Sequence, residues 1–239
     1  MNKTTELPTI EVYELVFMLI PIIIIGLVMW SWKIKTKDYW IANLRMFVQL
    51  SLIGFVLIYL FKDNNIWLGT LVMSTMLLIS AWISLRPLAN KNLLHYTDIA
   101  ISITAGTGIS MLLIVVLVLK PDPTYQAQLI IPLVGLLLGN TMNSISLSGD
   151  RYSHEMTSHK DKLKARNAAF NTAMIPRINS LLAMGLVALP GTMTGQIISG
   201  VEPVVAARYQ IMIMAAILIS SAVSIMLYLM LRMRRQVMG

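Results

Sequence analysis

The chain contains no cysteine. That excludes a disulfide framework, a thiolate nucleophile and any cysteine-ligated metal. Charge is scarce: Asp, Glu, Lys and Arg make up 13% of 239 residues, about half the ~25% of ordinary soluble domains. With apolar residues at 56%, a soluble globule would expose apolar patches too large for a monomer in water. Disorder is excluded as well, because the mean hydropathy is +0.72 and disordered chains have low hydrophobicity. Enzyme signatures are missing. There is no G-x-S-x-G elbow and no Walker G-x-x-x-x-G-K-[ST] sequence. His154-Glu155-Met156-Thr157-Ser158-His159 resembles a zincin helix, but its histidines stand one residue too far apart to share a helical face. No catalytic residue is assigned, and an intramembrane enzyme would lack paired catalytic groups.

What the chain has in abundance is apolar sequence. Seven segments, 15–32, 40–61, 66–85, 99–119, 129–147, 178–200 and 204–231, approach or exceed the ~20 helical residues that cross a bilayer core. They do not alternate as barrel strands do. The expected fold is all-α, a polytopic membrane protein with one transmembrane domain over 1–239 and a cytoplasmic loop at 148–167. The first segment is not read as a cleavable signal, since Glu6, Glu11 and Glu14 precede it and a basic n-region is missing. The net charge of +8 follows the same pattern. Lys33, Lys35, Lys37, Arg86, Lys91, Arg151, Lys160, Lys162, Lys164, Arg166, Arg232, Arg234 and Arg235 fall in alternate loops. The intervening loops hold only Lys3, Lys62, Lys120 and Arg208. Basic excess marks the cytoplasmic face, so the N-terminus is placed outside and the C-terminus inside, in a cell (inner or plasma) membrane. The charge records orientation in the lipid bilayer and gives no evidence of nucleic acid. Trp30, Trp32, Trp40, Trp67 and Trp82 lie near segment ends, as interfacial anchors do.

The sixth segment is unusual. Pro176 and Pro190-Gly191 punctuate 168–200, a stretch of about 50 Å if helical. The sequence predicts an amphipathic cytoplasmic helix from Leu163 to Ile175 and then a membrane segment broken around Leu189–Gly195. Irregular backbone at membrane depth is tolerated only where protein buries it or water reaches it, so the break is either a pathway or a kink that shapes packing. Polar residues inside spans are costly and therefore informative. Asn140, Met142 and Asn143 in the fifth span, with Thr192, Met193 and Gln196 beyond the break, are the candidates for a substrate path. For the asparagines the other reading is packing glue. Gly135 and Gly139, like Gly191 and Gly195, have the small-xxx-small spacing that permits close helix contact. Arg45 and Gln49 share a helix face, and Arg45 can snorkel to the cytoplasmic end. Arg177 lies in or beside the broken segment. Met212, Met214, Met226, Met230 and Met233 cluster in the last span. Thioethers ligate soft metals, but flexible core filling is their commoner use, so the metal ligands are left unknown.

From Arg45 onward the chain resembles the FetB family of ABC-transporter permeases, tied to iron export in bacteria, with plant relatives in aluminium tolerance. The likeness starts at Arg45, Gln49-Leu50 and Gly54. It strengthens at Ile131-Pro132, Gly135 and Gly139-Asn140-Thr141-Met142, and is most specific over Gly185–Ile198. It continues through Gly200, Pro203 and Ala206–Met212. The resemblance implies a permease that exports a metal ion, iron-like, or a metal-related solute by alternating access. It implies a cytoplasmic ABC ATPase partner carrying ATP and Mg, a pairing of two permease chains, and no cofactor on this chain. The missing Walker motif independently requires that any ATP be hydrolysed elsewhere. Arg151, Lys160, Lys162, Lys164 and Arg166 are the expected ATPase contacts. The segment 150–167 departs from the family pattern: it is shorter and lacks a Leu-Gly-Ala-Thr-like element. A stand-alone channel or secondary carrier without ATP coupling is the alternative. Acidic residues at span centres, common in such carriers, are missing.

Overall fold

The computed structural model describes residues 11–88, 91–159 and 161–235. Among them every regular element is helical: α1 (Val16–Ser31), α2 (Lys37–Asp63), α3 (Ile66–Leu85), α4 (Leu93–Leu112), α5 (Ala127–His159), α6 (Lys162–Ala183), α7 (Gly191–Ile198) and α8 (Pro203–Arg235). A 3-10 turn, Val12–Leu15, precedes α1, and π-helical turns, Leu113–Leu119, extend α4. Six of these helices are long and apolar enough to cross a membrane: α1 to α5 and α8. The chain is therefore an all-α, multi-pass membrane protein. Its apolar side chains point outward in large numbers, from Phe17 and Trp30 to Ile211 and Met230, which suits lipid as solvent and water not at all.

The helices form two compact units, Met1–Asp63 and Asn64–Gly239. In the first, α1 and α2 are joined by a turn in which Lys33 adopts a positive φ of 59°. The Tyr39 hydroxyl donates to the Ile22 carbonyl at 2.8 Å. The Trp40 ring occupies the space beside buried Gly26, where any Cβ would collide with it. Arg45 and Gln49 both lie on α2, with Arg45 half-buried and Gln49 exposed.

In the second unit α4 packs along α8 through small residues in matching register. Ser102, Gly106 and Ser110 recur every four residues on α4, and Ala216, Ser220 and Ser224 do so on α8. Ser224 donates to the Ser102 carbonyl at 2.8 Å and Ser110 to the Ala216 carbonyl at 3.2 Å. Close backbone approach with hydroxyl bonding is how membrane helices associate where no hydrophobic drive exists. Among the described residues the spacings noted in the sequence are not where these helices approach: a Cβ on Gly139, Gly191 or Gly195 would meet open space, and one on Gly135 only the end of Met76.

Two ends of this unit can be told apart by their contacts. At one, Asn64 accepts from the Ala127 amide at 2.8 Å, and Tyr125 lies against Gly69. At the other, Arg235 meets Asp98 at 2.7 Å, His95 meets Tyr228 at 2.8 Å, and Leu88 and Tyr228 close over Gly149. The second end also holds Arg86, which follows α3, and Arg232 and Arg234 in the last turn of α8.

Between α5 and α8 the chain departs from a simple span. α5 continues to His159, so most of 148–167 is helix, held on its inner face by buried Ser148 and Tyr152. Asp161 caps α6, accepting from the Leu163 and Lys164 amides at 3.0 and 3.1 Å. α6 runs through Pro176 without ending, eight residues beyond the predicted stop at Ile175. It packs against α5, and Ala165, Ala169 and Ala173 form a buried stripe along it. It stops at Ala183, so 178–200 is not one helix. The Val187 and Ala188 amides both return to the Ala183 carbonyl, and Gly185 supplies a φ of +78° that side chains rarely adopt. Leu186 and Val187 are 90% and 85% exposed at this turn. The break spans Met184–Pro190, a few residues before the expected position.

Candidate functional site

The break has a structural consequence at the level of side chains. It sets α7 on α8 and leaves, between α5, α6, α7 and α8, a cavity of about 370 Å³, lined by Leu136, Asn140, Arg177, Ser180, Met184, Pro190, Gly191, Thr192, Gln210 and Met214 among others. This volume lies within the range of small-molecule sites, which are mostly apolar with a few converging polar groups. Counting 1.5 Å per residue, Asn140 is about 20 Å along α5 and Gln210 about 10 Å along α8, so the cavity lies within the apolar part of the bundle.

Its polar groups form two hydrogen-bonded pairs. The Arg177 Nη1 donates to the Asn140 Oδ1, while the Asn140 amide donates back to the Leu136 carbonyl at 2.8 Å. On the facing wall the Thr192 hydroxyl donates to the Gln210 Oε1 at 2.7 Å. The Arg177 Nε is buried without an acceptor, and among the described residues no carboxylate forms an ion pair with Arg177. A second cavity of about 500 Å³ lies alongside, sharing Met184, Pro190, Gln210 and Met214 and adding Leu189, Met193 and Ala207. Its lining is largely apolar.

Of the expected path residues, then, Asn140 and Thr192 meet in one cavity and Met193 lines its neighbour. Gln196 is half-buried on α7 and lines neither. Asn143 is exposed, and Met142 is half-buried, its backbone carbonyl accepting from Ser84 of α3 at 3.3 Å. The residues the sequence reading passed over are Arg177 and Gln210. Their signal was present, since a lone arginine beside Pro176 and a glutamine early in the last span are both costly in lipid.

Of the expected ATPase contacts, Arg151 pairs with Glu155 one turn along α5. Lys162, Lys164 and Arg166 lie in the first turns of α6, where Lys164 approaches Asp161 at 3.8 Å and Arg166 donates to the Asn167 side chain. Lys160 lies outside the described residues. At the same end Asp98 is fully buried against Arg235, and the His95 and Tyr228 rings stack with centroids 5.8 Å apart. Among the described residues no three His, Asp or Glu side chains come together as a metal site.

Comparison with known proteins adds an independent line. The Uncharacterised protein family (UPF0014) matches residues 12–237. The chain is 32% identical over 215 residues to a UPF0014 membrane protein of Synechocystis, covering 84% of this chain and 83% of the relative. It is 30% identical over 195 residues to the probable iron export permease protein FetB of Escherichia coli, covering 75% and 74%. It is 28% identical over 208 residues to the protein ALUMINUM SENSITIVE 3 of Arabidopsis thaliana, covering 75% and 70%. No solved structure matches the chain.

Proposed function

The chain belongs to the UPF0014 family, and on that premise we propose that it is the membrane-spanning permease of an ABC-type transporter. It exports a metal ion or metal-related solute by alternating access, driven by a separate ATPase that binds ATP and Mg. The relative named as a probable iron export permease supports both cargo class and direction. The observation that carries the reading is the cavity at the break between α6 and α7, a solute-sized space into which a few polar groups converge.

In this reading the basic end of the helices faces the cytoplasm of a cell membrane, two permease chains pair, and each docks an ATPase. Arg151, Lys162, Lys164 and Arg166 around the α5–α6 connection take the ATPase contact. α6 then links the two processes. One end carries those cations, and about 22 Å along it Arg177 sits in the cavity. A tilt of α6 against α5 would break the Arg177–Asn140 pair, and the turn at Met184–Pro190 lets α7 stay with α8 as α6 moves.

The test is reconstitution of the chain with its cognate ATPase in vesicles. Metal efflux should require ATP, and charge reversal at Lys164 and Arg166 together should lower ATP-dependent transport severalfold without unfolding the protein. Efflux that proceeds without nucleotide, from vesicles to which no ATPase binds, would replace this reading with the channel or carrier.

A further inference from the structure

Resting on the permease reading, we infer that the cavity between α5, α6, α7 and α8 is an oxyanion site, so that cargo enters as a carboxylate- or phosphate-bearing species and a metal only within an anionic complex. Arg177 is the only charged residue among those that line it, and no Asp, Glu or His joins it there. In a low-dielectric surrounding a fixed guanidinium repels a bare cation strongly and attracts an anion equally strongly.

The hydrogen-bond inventory points the same way. The Asn140 oxygen accepts from Arg177 and its nitrogen donates within α5. Asn140 therefore orients the guanidinium. The Arg177 Nε is left buried with a hydrogen and no acceptor. A buried donor of this kind calls for a partner, and the guanidinium fork matches carboxylate and phosphate geometry. Gln210 accepts from Thr192 through its oxygen, and its amide nitrogen adds a donor to this wall. α7 begins at the same wall. Its first helical bond runs from the Thr194 amide to the Pro190 carbonyl, and Pro190 provides no side-chain cap. The Gly191, Thr192 and Met193 amides precede the first amide with an intrahelical acceptor, at the positive end of the helix dipole. Of the side chains that line this cavity, the buried group left without a partner is a donor, the Arg177 Nε.

Binding to the purified full-length chain tests this without ATPase or nucleotide. Citrate and inorganic phosphate are titrated calorimetrically into protein held in a neutral detergent, beside manganous chloride as a bare cation. Saturable binding of either oxyanion is expected, and Arg177→Gln should weaken it at least about tenfold, with Arg177→Lys between the two. If Arg177→Gln does not fold, Thr192→Val and Gln210→Leu read the same affinity. Repeating the titration in nanodiscs with and without anionic phosphatidylglycerol separates the sources. Competition by the lipid identifies a headgroup phosphate as the occupant, and indifference identifies a dissolved solute; either supports an oxyanion site. The inference is overturned if neither oxyanion binds, if the foldable variants bind them as the wild type does, or if the manganous ion alone binds in a manner that depends on Arg177. Loss of anion binding with ATP-dependent transport intact removes only the oxyanion claim, whereas anion binding with nucleotide-independent transport removes only the ABC reading.

Discussion

Gly106 shows most directly how single residues set this architecture. A Cβ there would lie 2.1 Å from the Ser224 hydroxyl and 2.4 Å from the Ser220 backbone carbonyl. The second obstacle is main chain, so a rotamer change cannot relieve it and α4 and α8 must separate. Gly106→Ala is expected to destabilise the protein by about 1–3 kcal/mol, the usual cost of overpacking, measured as a lowered thermal midpoint in detergent. Gly139→Ala is the matched control: its Cβ meets open space, and alanine is the better helix former, so stability should be unchanged or slightly raised. Equal loss from both would show that close approach is not what Gly106 provides. The sequence alone pointed at the wrong glycine, for a physical reason. Spacing of small residues shows that a helix has a flat stripe but carries no information about which neighbour faces it. The same limit applies to the cavity. Asn140 and Thr192 stood out because polar groups are expensive in lipid. That Arg177 meets Asn140 depends on the pairing of α5 with α6, which no local pattern encodes.

At the scale of elements, the apolar runs located α1 to α5 and α8, because a bilayer imposes length and composition on any helix that spans it. Boundaries were less legible. α5 runs on past 147 because Tyr152 joins the buried cluster that includes Tyr228 and Leu229 of α8, and a charged segment carries no local sign of that. Pro176 reads as a stop, yet α6 continues through it: proline costs a helix one backbone bond, which tertiary packing can outweigh. The tie between α4 and α8 at the basic end is similarly tertiary. Asp98 is wholly buried while Arg235 remains 36% exposed at 2.7 Å from it. Arg235→Ala leaves a carboxylate with no counter-charge, and about 3 kcal/mol of destabilisation is expected, the low end for orphaning a buried ion. Asp98→Asn frees Arg235 into water and should cost clearly less. A thermal-unfolding series on the two single variants and the double variant checks the asymmetry; equal losses from both single variants would contradict it.

For the molecule as a whole, the open physical question is how the chain passes from the end of α5 to the start of α8, and the missing cysteines make it directly measurable. α5 ends, and α8 finishes, where the basic residues gather, since Gly149 and Asp98 meet Tyr228 and Arg235 there. α8 is 33 residues long, about 50 Å, so Pro203 lies at the opposite end. The residues from Lys162 to Glu202 must therefore traverse the bundle, although no single helix among them does so. α6 covers most of the distance, and the turn with α7 covers the rest beside the cavity. A chain without cysteine has no background in thiol labelling, so single cysteines can be placed at Lys91, Asp161, Asp122 and Glu202 and treated with a membrane-impermeant maleimide on intact cells. Asp122 and Glu202 should label from outside, and Lys91 and Asp161 only after permeabilisation, as the basic excess requires. If Asp161 and Glu202 label from the same side, α6 and α7 form a re-entrant loop and the cavity opens to one face only. In that geometry alternating access could not operate through α6, and the transport reading would need another moving element.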